Sequence, residues 1–133
     1  MTIKVNVETV KRLADEVGED TVSLLFNVFS DELEQYLVKL LAEPSVSDIG
    51  EISHSIKSSA ASFGADDLAL LAQECESRVR QGQDSWIMDH LPELRQMVQG
   101  VAQEYKLMSS NEELLNSMSC RHTWLLAARS ETC

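Results

Sequence analysis

The sequence predicts an all-α protein: an antiparallel up-and-down four-helix bundle with a short additional helix at its N-terminus. Three observations carry this. Glycine (5) and proline (2) are scarce in 133 residues and aromatics are only 5%, a poor composition for a turn-rich β fold. Apolar residues recur at helical spacing from Val7 to Tyr105. The breaks between these stretches are short, which makes neighbouring helices antiparallel. A chain of this length buries an adequate core without metal or disulfide staples.

The first helix follows Asn6, a good cap, and sets Val7, Val10, Leu13, Ala14 and Val17 on one face before Gly18 stops it. The second spans about 20–43, with Val22, Leu25, Phe26, Phe29, Leu33, Leu37, Leu40 and Leu41 as its stripe, and Pro44 ends it. The third starts near Ser45 or Ser47 and reaches Phe63, where Gly64 breaks it. The fourth opens at Asp66 or Asp67, acids well placed for a helix N-terminus, and closes at Gly82. Its buried side comprises Leu68, Leu71, Ala72, Cys75 and Val79. The fifth spans about 89–107, which places Pro92 in the first turn, where proline is tolerated. Leu91, Leu94, Val98, Val101 and Tyr105 give it a core face, and His90 sits at its start as a surface or local hydrogen-bonding residue. Residues 1–108 thus form one domain. Residues 109–133 are rich in Ser, Asn and Thr and read as a poorly ordered extension or a short helix.

Eleven cations against 22 acids give a net charge of −11 and a pI near 4.6. Phosphate backbones and anionic membranes need clustered cations, so both are disfavoured as partners. No apolar run approaches the roughly 20 residues that span a bilayer, and residues 1–10 carry charge without a cleavable apolar core. Cys75, Cys120 and Cys133 are odd in number and lack a C-x-x-C pair, as expected of reduced thiols in the cytoplasm. Cys120 and His122, spaced C-x-H, lack the further ligands of a zinc site. No metal site is expected.

The third helix has an unusual outer face. At about 100° per residue, Ile49, Ile52, Ile56, Ser59, Ala60 and Phe63 share one arc, the core face. His54 lies nearly opposite. Gly50, Ser58 and Ala61 surround it, where a solvated helix would carry Glu, Lys, Gln or Arg, and Lys57 stands one turn ahead. A neutral imidazole acts as a nucleophile without a strong base beside it, and small neighbours let a partner's active site come close. A lysine at i+3 neutralises an anion placed on that ring. The chain has no Gly-rich nucleotide loop, no GxSxG, no HExxH and no carboxylate cluster near His54 for Mg²⁺. The face suits receiving and surrendering a group while a partner supplies the catalytic apparatus. The alternative is a non-catalytic helical adaptor whose His54 face binds a signalling partner unmodified.

The run 54–65, His-Ser-Ile-Lys-Ser-Ser-Ala-Ala-Ser-Phe-Gly-Ala, resembles the signature of the histidine-containing phosphotransfer (HPt) family. The longer run 51–66 is similar to the LuxU-like branch of that family, which serves quorum sensing. The resemblance implies that His54 is the phosphoacceptor and that Lys57 offsets phosphoryl charge. It also implies that Gly64 makes the turn into the next helix. Ser58 stands where the wider family usually has Gly. Glu76 takes the place of the residue that orients the histidine ring, with Gln73 the competing candidate. Gly50, Ser58, Ala61 and Gly64 belong to the implied docking surface. The implied function is that of a cytoplasmic, monomeric phosphorelay intermediate without kinase activity or a cofactor of its own. Its partners are receiver domains of hybrid sensor histidine kinases and of a LuxO-like response regulator, which bring the Mg²⁺. The extension after about Lys106 departs from the family pattern.

Overall fold

The computed structural model describes residues 5–110, and all its regular elements are helices. The extension expected at 109–133, with Cys120 and His122, lies outside the described residues apart from its first two positions. Helix α1 is Val7–Val17, α2 Glu19–Leu41, α3 Val46–Phe63, α4 Asp66–Arg80 and α5 Asp84–Ser110. Helices α2 to α5 form the antiparallel bundle, with the most extensive packing of α2 on α5 and of α3 on α4. Helix α1 lies against α2 and α3.

The ends of the helices follow from local chemistry. The Asn6 side chain accepts from the Thr9 amide at 3.1 Å, capping α1. Ser45 and Asp48 form a reciprocal capping box that starts α3, settling the choice between Ser45 and Ser47. Gly64 ends α3 in the left-handed conformation, with φ of 83°, and its amide returns to the last turn of the helix. The Leu40 carbonyl in the last turn of α2 accepts from Arg95 Nε of α5 at 2.8 Å.

Helix α5 departs from expectation. It begins at Asp84, so Pro92 and His90 both lie inside it. Proline deprives the Met88 carbonyl of its helical donor, but Pro92 and Met88 are both exposed, so the lost bond lies on the solvent side of the helix. The added turn contributes Ile87 to the core and Trp86 to its margin, while His90 stacks on Trp86 and its Nδ1 lies 2.8 Å from the Trp86 carbonyl. Two residues assigned by spacing to buried stripes face outwards: Val17 is 38% and Leu41 59% exposed. Each is the last residue of its helix, at an end of the bundle.

Phe26 and Phe29 of α2, Phe63 of α3 and Tyr105 of α5 meet in one aromatic cluster. Tyr105 donates its hydroxyl to the Phe63 carbonyl, tying α5 to the end of α3. Buried Ser30 donates to the Ala102 carbonyl at 2.7 Å, so the α2–α5 seam leaves that hydroxyl satisfied.

Between α2 and α3, exposed Glu43 has a φ of 56°, in the left-handed region that favours glycine. Glu43→Gly is expected to stabilise the protein by about 0.5–1 kcal/mol, the relieved strain exceeding the greater chain entropy of unfolded glycine. A urea midpoint that fell in this variant would show the turn to be held by the Glu43 side chain instead.

Candidate functional site

Four buried side chains of α3, Ile49, Ile52, Ile56 and Ala60, fix how that helix is rolled against the core. His54 therefore projects from the opposite side, with its side chain 65% exposed. On α4, Leu68, Ala72 and Cys75 play the same part and turn Glu76 towards α3. Glu76 Oε2 lies 2.6 Å from His54 Nδ1, and Glu76 Oε1 lies 2.7 Å from Lys57 Nζ. One carboxylate thus spans both residues that the sequence pattern singles out on α3. Gln73, one turn earlier on α4, is exposed. It is Glu76 that the fold brings to the ring.

The Glu76 side chain is only 13% exposed. The Lys57 ammonium first, and the His54 ring second, hold its carboxyl down at about 2. Glu76 is therefore ionised at neutral pH and can only accept, so the proton of the 2.6 Å hydrogen bond sits on His54 Nδ1. This hydrogen bond engages Nδ1 and leaves Nε2 as the ring nitrogen that Glu76 does not touch.

Stability and protonation are linked through this carboxyl. Unfolding returns the Glu76 carboxyl to its ordinary 4.5, so between about 4.5 and 2 the unfolded chain binds more protons. The stabilisation is complete above 4.5 and is lost as pH falls through the folded value near 2. Glu76→Gln is expected to be less stable than wild type at pH 7, with the difference shrinking across that acid window. Parallel urea titrations at several pH values test this, and a pH-independent difference would contradict the ion-pair account.

The small residues divide into two groups. Ser58 and Ala61 are solvent-facing neighbours of His54, and the Ser58 carbonyl accepts from Ser62 Oγ at 3.0 Å. Gly64, by contrast, is buried. A Cβ there would lie 3.0 Å from the Asn6 carbonyl oxygen, so the glycine serves both the left-handed turn and the close passage of α1. The Asn6 amide also donates to the Gly64 carbonyl at 2.8 Å. Gly50 is half-buried and faces Val79 of α4.

A groove of about 470 Å³ runs beside the ring, lined by Gly50, Glu51, His54, Glu76, Val79 and Arg80 among others. Arg80 is a site residue that the sequence pattern does not single out. A signal for it exists in the spacing, since Arg80 stands one turn beyond Glu76 on the same side of α4. Among the described residues, no group of three His, Cys, Asp or Glu side chains is placed to hold a metal ion. None of the described helices is long and apolar enough to cross a membrane.

Compared with known proteins, residues 24–104 match the Hpt domain family. The chain belongs to the Hpt domain family. The Hpt match spans most of α2, all of α3 and α4 and most of α5, and so contains His54, Lys57 and Glu76. Helix α1 precedes it. Phosphorelay protein LuxU of Vibrio cholerae serotype O1 is 39% identical over 108 residues, covering 79% of this Hpt chain and 93% of the relative. Phosphorelay protein LuxU of Vibrio vulnificus strain YJ016 is 43% identical over 81 residues, 58% of this chain and 70% of the relative. The LuxU protein of Vibrio harveyi is 36% identical over 81 residues, 59% and 71% of the two chains. No solved structure matches this Hpt chain at a comparable level of significance.

Proposed function

We propose that this chain is a phosphorelay intermediate of a bacterial two-component system of the quorum-sensing type. In this reading His54 accepts a phosphoryl group from the aspartyl phosphate of a hybrid sensor kinase's receiver domain. It then passes the group to the receiver aspartate of a response regulator of the LuxO kind. The observation that carries the reading is the His54–Glu76 pair: an exposed ring, Nδ1 engaged at 2.6 Å, and Nε2 left as the outward nucleophile. The phosphorelay proteins to which the chain is similar support it.

The step balances without moving a proton. Nε2 attacks phosphorus, the P–O bond to the donor aspartate breaks, and the aspartate leaves as a carboxylate. The imidazole, still protonated on Nδ1, becomes cationic beside the Glu76 carboxylate, which stabilises it. Phosphoryl transfer relies on positioning and charge stabilisation, and the receiver supplies its own carboxylates and Mg²⁺. The chain is a phosphocarrier without kinase activity of its own, working as a monomer in the cytoplasm. Ser58 and Ala61 form part of the face a receiver approaches. A transient encounter of this sort needs only a small contact and fast exchange.

The test is transfer from a phosphorylated receiver domain of a hybrid kinase of the same organism. The expected result is a label that appears on this chain, is lost in acid and survives base, as an N-phosphoryl bond does. Failure of the folded protein to take label from any such receiver would replace this reading with that of an adaptor bound through the unmodified His54 face.

A further inference from the structure

We infer that Gly50 is a positioning residue for His54, acting through the distance between α3 and α4. The inference rests on the relay reading for its kinetic consequence and on geometry alone for its structural one. A Cβ on Gly50 would lie 2.9 Å from Val79 Cγ1, 3.4 Å from its Cβ and 3.5 Å from its Cγ2. The whole isopropyl group therefore rests on the bare Cα. Valine is stiff at χ1 in a helix, so it cannot swing aside as the end of a long side chain would. Relief has to come from α4 moving away from α3.

That movement falls on the site. Gly50 and His54 are one turn apart on α3, and Val79 and Glu76 are one turn apart on α4. Because the two helices run antiparallel, the Gly50–Val79 contact is the rung next to His54–Glu76. Behind both rungs, buried Ser53 meets buried Cys75, so small side chains keep this stretch of the seam tight. Restoring an ordinary carbon contact of 3.4–4 Å opens the Gly50–Val79 rung by roughly 0.5–1 Å, which stretches the 2.6 Å His54–Glu76 hydrogen bond to the outer edge of the bonding range or beyond it. Glycine is a poor residue for a helix interior. Its place one turn before His54 is explained by the contact with Val79 and not by solvent exposure, since it is half-buried.

The first measurement is the ¹⁵N spectrum of the His54 ring in the unphosphorylated protein. Wild type is expected to show the neutral tautomer protonated on Nδ1 and bonded to Glu76. Gly50→Ala is expected to lose that signature and to slow phosphoryl acceptance about tenfold or more. Gly50→Ala with Val79→Ala removes the crowding and is expected to restore the ring signature, with transfer within about threefold of wild type. A Gly50→Ala protein with a wild-type ring spectrum overturns the inference. So does a folded double variant whose ring signature stays lost. Slow transfer with an intact ring spectrum would place Gly50 in partner contact instead. If even the wild type took no phosphoryl group, the relay reading would fail while the ring spectra still decided the part played by Gly50.

Discussion

His54→Gln is expected to reduce phosphoryl acceptance by about a thousandfold or more, to the level of background. Glutamine retains size and polarity but has no nucleophilic ring nitrogen, so no N–P bond forms. The same change is expected to leave stability within about 0.5 kcal/mol of wild type, since the side chain is 65% exposed. A glutamine amide can still donate to the Glu76 carboxylate, which limits the damage to the Lys57–Glu76 ion pair. A labelling time course beside a thermal melt separates the two effects. Undiminished label on the variant would put the acceptor elsewhere in the chain. Unlabelled variant that still signalled in cells would favour the adaptor.

Phe29→Ala is expected to cause the largest loss of stability of any change considered, about 3–5 kcal/mol. Phe29 is 1% exposed, stacks on Phe63 with centroids 4.8 Å apart, and meets Tyr105 edge-on at 4.9 Å. Its removal withdraws a partner from both rings at once, and the stiff α2–α5 seam cannot collapse fully into the void. Against a domain stability of about 5–15 kcal/mol, much of the margin would go. Equilibrium urea unfolding should show a much lower midpoint at an unchanged slope. A loss below about 1.5 kcal/mol would mean that the cluster repacks freely. The folded fraction should still accept phosphoryl groups, because the His54–Glu76 pair rests on the α3–α4 seam and not on this cluster.

Much of the fold is legible in local signals of the amino-acid sequence. Asn6, Gly18 and Gly64 act within one turn of themselves, so residue type alone marks both ends of α1 and the end of α3, while Ser45 and Ser47 both offer a cap for its start. The start of α5 is not legible in this way, because Pro92 by itself signals a first turn. Its acceptability inside the helix depends on which way Met88 and Pro92 face, and packing decides that. The outward aim of His54 is legible because the ring and the core arc opposite it belong to a single helix. The choice of Glu76 over Gln73 and the contact of Gly50 with Val79 depend on how α4 is rolled and how closely it approaches α3. Gly64 announces a turn but not its burial, because nothing local in its sequence shows that Asn6 packs over it. No spacing within one helix contains those quantities.

The carboxylate shared by His54 and Lys57 has a thermodynamic consequence for a carrier. With the ring empty, the Glu76 carboxylate and the Lys57 ammonium stand beside the imidazole. In the proposed transfer the ring would become cationic and bear a dianionic phosphoryl group, so the same three side chains would face one net negative charge more. Glu76 favours the loaded ring cation but repels the phosphoryl oxygens, and it competes with them for the Lys57 ammonium. In the relay reading these opposing terms would keep the loaded state from becoming a deep well. A courier must hold its load firmly enough to carry it and loosely enough to give it up, in either direction.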